Sequence, residues 1–246
     1  MKQTISNFAG ELKFEWNGFD INEVLKAVKR FPGLFIVPYN ISSLWNYLHG
    51  YQSVLRMCNK EKLSFPYYYH FGDWFQGKLN FKFRNQLGWY HHIDEKCKGD
   101  GEEAFVKFFK FYEEFSKSKP VCYRIEINEE HIKFAETKSV IKRFKSTRDY
   151  EQEKKIVVPK EILVFQLPPS KTHWFVYINA DGFVDYENLE MNFDSLKERI
   201  DKEFQTKEQD WIRLNAEESF DLYNKVFITK EIPTETRFLT VTTESF

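Results

Sequence analysis

At 246 residues the chain is long enough to bury roughly 70–75% of its unfolded surface, as one large domain or two small ones, so no disulfide framework is required. Its 26 Phe, 13 Tyr and 6 Trp make it 18% aromatic, against 10 Gly and 8 Pro, which marks a folded protein with a bulky core and aromatic side chains to spare for interfaces. The net charge of -1 speaks against a general polyanion binder, and no run approaches the roughly 18 apolar residues of a membrane span.

Residues 1–18 alternate loosely through Phe8, Leu12, Phe14 and Trp16 and are expected to form a strand or an ordered arm. Asp20 with Glu23 has capping-box spacing, and Ile21, Val24, Leu25 and Val28 supply the apolar side of the helix that follows. Phe31-Pro32-Gly33 stops it, and Leu34 to Val37 is strand-like. The run from Asn40 to Cys58 is the centre of this half. Ile41, Leu44, Trp45, Leu48, Tyr51, Leu55 and Cys58 recur at three and four residues, so they line one helix face, with Asn40 or Ser42 as its cap. An aromatic connector at Phe65 to Tyr69 leads into a helix over Phe71 to Phe83, and Gly88 to Ile93 is a short strand-like piece. The turn Lys98 to Gly101 precedes the clearest helix, whose acidic start is Glu102 and Glu103 and whose stripe is Phe105, Phe108, Phe109, Tyr112 and Phe115.

Ser116 to Pro120 ends that helix and is the expected boundary between a mainly helical, aromatic-rich domain (1–118) and an α+β domain (119–246). Beyond it the period changes. Val121 to Ile127, Ile162 to Leu167 and Trp174 to Ile178 are expected strands. Asn179-Ala180-Asp181-Gly182 is a hairpin turn into Phe183 to Tyr186. Helices follow at Phe193 to Phe204 and near Glu217, and Phe238 to Thr242 is an expected edge strand. A helical half followed by a small, mostly antiparallel sheet with two helices gives the fold class α+β.

Three cysteines, Cys58, Cys97 and Cys122, without CxxC spacing, indicate reduced thiols. The first eight residues lack an apolar h-region, so no signal peptide is expected and the cytoplasm is the expected location. Charge is segregated: five basic and no acidic residues lie from Lys138 to Arg148, whereas Asp181 to Asp221 holds thirteen acidic and five basic residues, a local net of -8.

His91-His92 with Asp94, Glu95 and Cys97 is the densest set of metal-ligand types. Adjacent histidines on a strand point to opposite faces, so no shared ion is expected. Asp181, Asp185, Glu187 and Glu190 resemble the carboxylates with which a nuclease holds magnesium, although Gly182 interrupts their strand spacing and no lysine completes the set. Ser170, Thr172 and His173 offer a nucleophile and base without a nucleophile elbow, and Cys122 has no identifiable orienting partner. Gly99-Asp100-Gly101 is too short for a phosphate loop. The basic run around Phe144 is weak support for nucleic acid. No catalytic residue, metal or cofactor is assigned.

The features from Lys29 to Phe115 resemble a group of small bacterial proteins with a Lys-Arg-Pro-Gly-Met-Tyr-like start, a helix ending in Gly-Tyr, a Phe-x-x-Trp segment, a Gly-Trp piece and a closing Glu-Glu-Ala-Phe-x-x-Phe-Phe helix. The residues that carry this are Lys29-Arg30-Phe31-Pro32-Gly33-Leu34-Phe35, Gly50-Tyr51, Phe71 with Trp74, Gly88-Trp89, and Glu102-Glu103-Ala104-Phe105 with Phe108-Phe109. Phe31 interrupts the Arg-Pro step, and Val37 stands where a small residue is expected. The group is similar in size and setting to immunity proteins of bacterial toxin systems, which implies binding without chemistry. The expectation is therefore a non-catalytic protein-binding protein, immunity- or antitoxin-like. It would neutralise a basic toxin through Asp181, Asp185, Glu187 and Glu190, with no membrane or nucleic-acid partner. The alternative is a metal-dependent nuclease or phosphate-handling hydrolase built on the same carboxylates. A third is a structural module of a larger assembly.

Overall fold

The computed structural model describes residues 20–57, 63–80, 88–137 and 159–229, in two units that divide between Ser118 and Lys119. The N-terminal arm, Cys58, the basic run from Lys138 to Arg148 and the expected strand Phe238 to Thr242 lie outside the described residues. The fold is α+β: a helical first unit, then a five-stranded antiparallel sheet with helices.

In the first unit, α1 (Ile21–Arg30) begins at Asp20, whose carboxylate accepts the Asn22 N–H at 2.9 Å. Glu23 pairs with Lys26 at 2.6 Å instead of returning to close a capping box. Of Leu34 to Val37, expected as strand, Leu34 and Phe35 belong to the short helix α2 (Pro32–Phe35), and Ile36 is its extended C-cap. Pro32 occupies its first turn, where a missing N–H costs nothing. The apolar run that suggested a strand is mostly not buried: Leu34 is 68% and Val37 82% exposed, and only Ile36 points inward.

Helix α3 (Ile41–Met57) starts at Asn40, whose side-chain oxygen accepts the Ser43 N–H at 2.8 Å, and buries Ile41, Leu44, Leu48 and Leu55. After a 3₁₀ turn at Tyr68–His70 come α4 (Phe71–Leu79) and α5 (Trp89–Lys96). The second of these corrects the strand expected at Gly88 to Ile93. Trp89, His92 and Ile93 are the buried residues, an i, i+3, i+4 set that is helical once His92 counts as an inward side chain.

Helix α6 (Gly101–Phe115) is the axis on which α3, α4 and α5 pack. Asp100 caps it through bonds from Glu102 N–H and Glu103 N–H at 3.1 and 2.9 Å. A Cβ at Gly101 would lie 2.8 Å from Asn40 Cβ, so glycine lets the starts of α3 and α6 meet. The inward stripe is aromatic. Phe108 stacks on Trp89 at 4.6 Å, and Phe71 meets Phe108 and Phe115 edge-on at 5.3 and 5.5 Å. Each fully buried Phe stabilises by roughly 1.5–3 kcal/mol, with about 0.5–1.5 kcal/mol more for a well-placed ring pair.

In the second unit the strands β1 (Val121–Glu126), β2 (Glu161–Gln166), β3 (His173–Ile178), β4 (Val184–Glu190) and β5 (Ile212–Arg213) lie in the order β4-β3-β2-β1-β5. All six residues of β3 are buried, which explains its unbroken apolar run: a central strand covered on both faces does not alternate. On one face α8 (Phe193–Phe204) lays Leu196, Ile200 and Phe204 over Ile125, Val164, Phe175 and Tyr177. On the other, α9 (Ala216–Tyr223) and a π turn at Asn224–Ile228 set Tyr223 and Phe227 against Phe165, while Ser219 Oγ accepts the Cys122 N–H at 3.2 Å. Two elements were not anticipated. β5 is two residues long, and α7 (Glu129–Thr137) fully buries little besides His131 and Ala135. The α7 start was nevertheless written in Asn128, which accepts Glu130 N–H and His131 N–H at 3.0 and 3.1 Å.

Candidate functional site

The β3–β4 hairpin carries the acidic residues singled out in the sequence. Its turn is built by Asn179: the backbone N–H donates to Phe183 O at 2.9 Å, the side chain accepts the Phe183 N–H at 2.9 Å, and the carbonyl accepts Gly182 N–H at 3.1 Å. Gly182 has φ +82°, a conformation that penalises any Cβ. Asp181 stands exposed at the tip.

β4 then runs along one edge of the sheet. Its register pairs Val176 with Glu187, Trp174 with Leu189 and His173 with Glu190, so Glu187 and Glu190 leave from opposite faces. Between Ile178–Val184 and Tyr177–Tyr186 the register slips, and Asp185 is the inserted residue of that bulge. The four acidic positions are therefore strung along an edge rather than gathered at one point. Among the described residues no three His, Cys, Asp or Glu side chains are grouped to hold a metal ion.

Two further properties of this edge were missed in the sequence. Phe183, Leu189 and Met191 are 39%, 51% and 40% exposed and lie among the acidic positions. Second, the edge caps itself: Asn188 Oδ1 accepts the Leu189 N–H at 2.8 Å and Glu190 Oε1 accepts the Met191 N–H at 2.9 Å. Side chains thus hold backbone donors that an edge strand otherwise offers to another strand.

Much of the remaining charge from Asp181 to Asp221 is balanced within the second unit. Lys197 lies 2.9 Å from Asp201 and 3.2 Å from Glu208, Lys202 pairs with Glu198 at 2.6 Å, and Lys225 pairs with Asp221 at 2.7 Å. Burial works against the Asp201 carboxylate, but hydrogen bonds from Thr206, Lys197 and Trp211 outweigh it and hold its pKa below the ordinary value. That network fastens the end of α8 to the segment before β5.

The other candidate groups are accounted for by structure. His91 and His92 sit on a helix rather than a strand, and both rings turn to Glu95: His91 Nε2 is 3.4 Å from Oε1 and His92 Nδ1 3.5 Å from Oε2. Cys97 is buried at the end of that helix, and burial raises its pKa. Ser170 Oγ accepts the Thr172 N–H at 3.0 Å, Thr172 Oγ1 donates to Met191 Sδ at 3.2 Å, and the His173 ring packs 5.1 Å from Phe193. Burial lowers the His173 pKa and pushes the Cys122 thiol up to about 12, which keeps Cys122 protonated and a poor nucleophile at neutral pH.

Among the described residues no helix is long and apolar enough to cross a membrane. Comparison with family models, with curated proteins and with solved structures finds no match for the chain.

Proposed function

We propose that the chain is a non-catalytic protein-binding protein, immunity- or antitoxin-like, which neutralises a basic toxin in the cytoplasm by covering its active surface with the β3–β4 hairpin. The observation that carries this reading is the composition of the β4 edge, where exposed Phe183, Leu189 and Met191 are interleaved with Asp181, Asp185, Glu187 and Glu190. Apolar anchors supply contact area, and a carboxylate rim steers a basic partner and accelerates its encounter. The resemblance of residues 29–115 to small proteins found in a toxin-immunity setting supports the same reading.

The test is a tagged pull-down from the native cell with neighbouring gene products co-expressed, analysed by mass spectrometry. A stoichiometric basic protein is the expected result, and its capture falls as salt is raised. A solitary protein that binds magnesium, manganese or zinc in calorimetry would replace this reading with the metal-dependent nuclease or phosphate-handling hydrolase.

A further inference from the structure

The first unit holds a groove of about 240 Å³ between α1, the segment 64–66 and α6. Its floor is polar and its walls are not. Asn22 is only 5% exposed, and its amide donates to Ser64 O, Ser64 Oγ and Pro66 O at 3.0, 2.6 and 3.2 Å, while its oxygen accepts the Tyr112 hydroxyl proton. Asn22 is thereby fully used in holding the groove together. Two of its partners are not. The Ser64 hydroxyl accepts from Asn22 but, among the described residues, donates to nothing, and the Tyr112 oxygen donates but accepts nothing. One free donor and one free acceptor therefore flank the floor, and Tyr112 is only 9% exposed.

Leu25, Phe65, Pro66 and Phe109 supply its apolar lining. The volume lies below the roughly 300 Å³ at which pockets for drug-sized ligands begin, which limits the occupant to one ring and a short arm. At the mouth, Lys26 and Lys29 come from α1 and Glu113 from α6. Lys26 is paired with Glu23 at 2.6 Å with both side chains more than half exposed, a weak pair that an incoming anion can displace. Lys29 reaches Glu113 at 3.6 Å with both side chains more than half exposed, and Glu113 is also held by Lys117 at 3.2 Å. An exposed pair of that length is weak, so Lys29 is readily transferred to an incoming anion.

We propose that this groove binds a one-ring aromatic carboxylate with a hydroxyl at the far end of the ring. The ring lies between Phe109 and Pro66, the hydroxyl donates to Tyr112 Oη and accepts from Ser64, and the carboxylate meets Lys26 and Lys29 at the mouth. The occupant is chosen by three separate demands: a donor-acceptor group at the floor, one ring between the walls, and a negative group outside.

The probe is 4-hydroxyphenylacetate, added to the full chain and followed by ligand-observed saturation-transfer NMR and calorimetry. The expected result is saturable binding with a Kd on the order of 0.1–1 mM, as befits so few ligand atoms. Phenylacetate, which lacks the floor hydroxyl, and tyramine, which replaces the carboxylate by an amine, should each bind at least about fivefold more weakly. Lys26→Gln combined with Lys29→Gln alters only exposed side chains and should weaken 4-hydroxyphenylacetate by about tenfold while leaving the melting temperature in place. Absence of saturation at 10 mM probe, roughly a hundredfold the lower end of the expected Kd range, overturns the proposal, as does tyramine binding as tightly as the acid or a double variant that binds undiminished.

Discussion

Asn22 shows how a single polar residue organises a largely aromatic unit. Its side chain ties α1 to the segment at Ser64 and Pro66 and, through Tyr112, to α6. Asn22→Ala leaves the buried Tyr112 hydroxyl without its acceptor, and the Ser64 and Pro66 carbonyls lose a donor. Each buried polar group left unpaired costs about 1–3 kcal/mol, so urea denaturation should register a loss of about 2 kcal/mol or more. His70 makes a second residue-scale prediction. Burial lowers its pKa from 6.5 to about 3, so between those values the unfolded chain binds a proton that the folded chain refuses. Its contribution to stability is complete above pH 6.5 and is lost as the pH falls towards 3, with a slope approaching about 1.4 kcal/mol per pH unit. Chemical denaturation at a series of pH values should show that slope, and His70→Phe should flatten it. None of this was legible in the sequence, where Asn22 is one of several polar residues at the start of α1 and His70 is a lone imidazole among aromatic neighbours. Their roles depend on partners brought together by the tertiary fold.

At the level of elements, caps and long apolar stripes were legible and short segments were not. α3, α6 and α8 each have a capping side chain and an inward stripe repeated over three or more turns, and each was readable from the sequence. α5 has only eight residues, and its inward set includes His92, so treating histidine as polar hid its period. α2 was misread because Leu34 and Val37, though apolar, are exposed. α7 lacked a strong apolar stripe, and β5 consists of two exposed residues held by pairing with Tyr123 and Arg124. The hairpin turn was legible from Asn179 to Gly182, but the bulge at Asp185 was not, because a register slip leaves no composition signal. The self-capped edge of β4 leads to a prediction at this scale. Asn188→Ala releases the Leu189 N–H beside an exposed leucine, and sedimentation velocity should then show concentration-dependent self-association absent from the parent.

Across the whole molecule, the near-zero net charge conceals an uneven distribution. The sequence places a local net of -8 between Asp181 and Asp221, and lysines on α8 and Lys225 offset part of it within the second unit. The hairpin and β4 combine their acidic residues with exposed apolar side chains, and this combination distinguishes the edge from a merely solvated helix surface. The sequence supplied the acidic half of that surface. It did not show the anchors, because exposure of Phe183, Leu189 and Met191 follows from the position of β4 in the strand order.

The most direct measurement is a quantitative pull-down of co-expressed neighbouring gene products by the parent chain and by an Asp181→Lys, Glu187→Lys variant, with circular dichroism to confirm that both fold alike. The account predicts that the parent retains a basic partner at stoichiometric level and that the variant loses it by at least about tenfold, since two reversed charges turn attraction into repulsion at the rim. Equal recovery by the two chains would contradict it and remove the β4 edge from the interface.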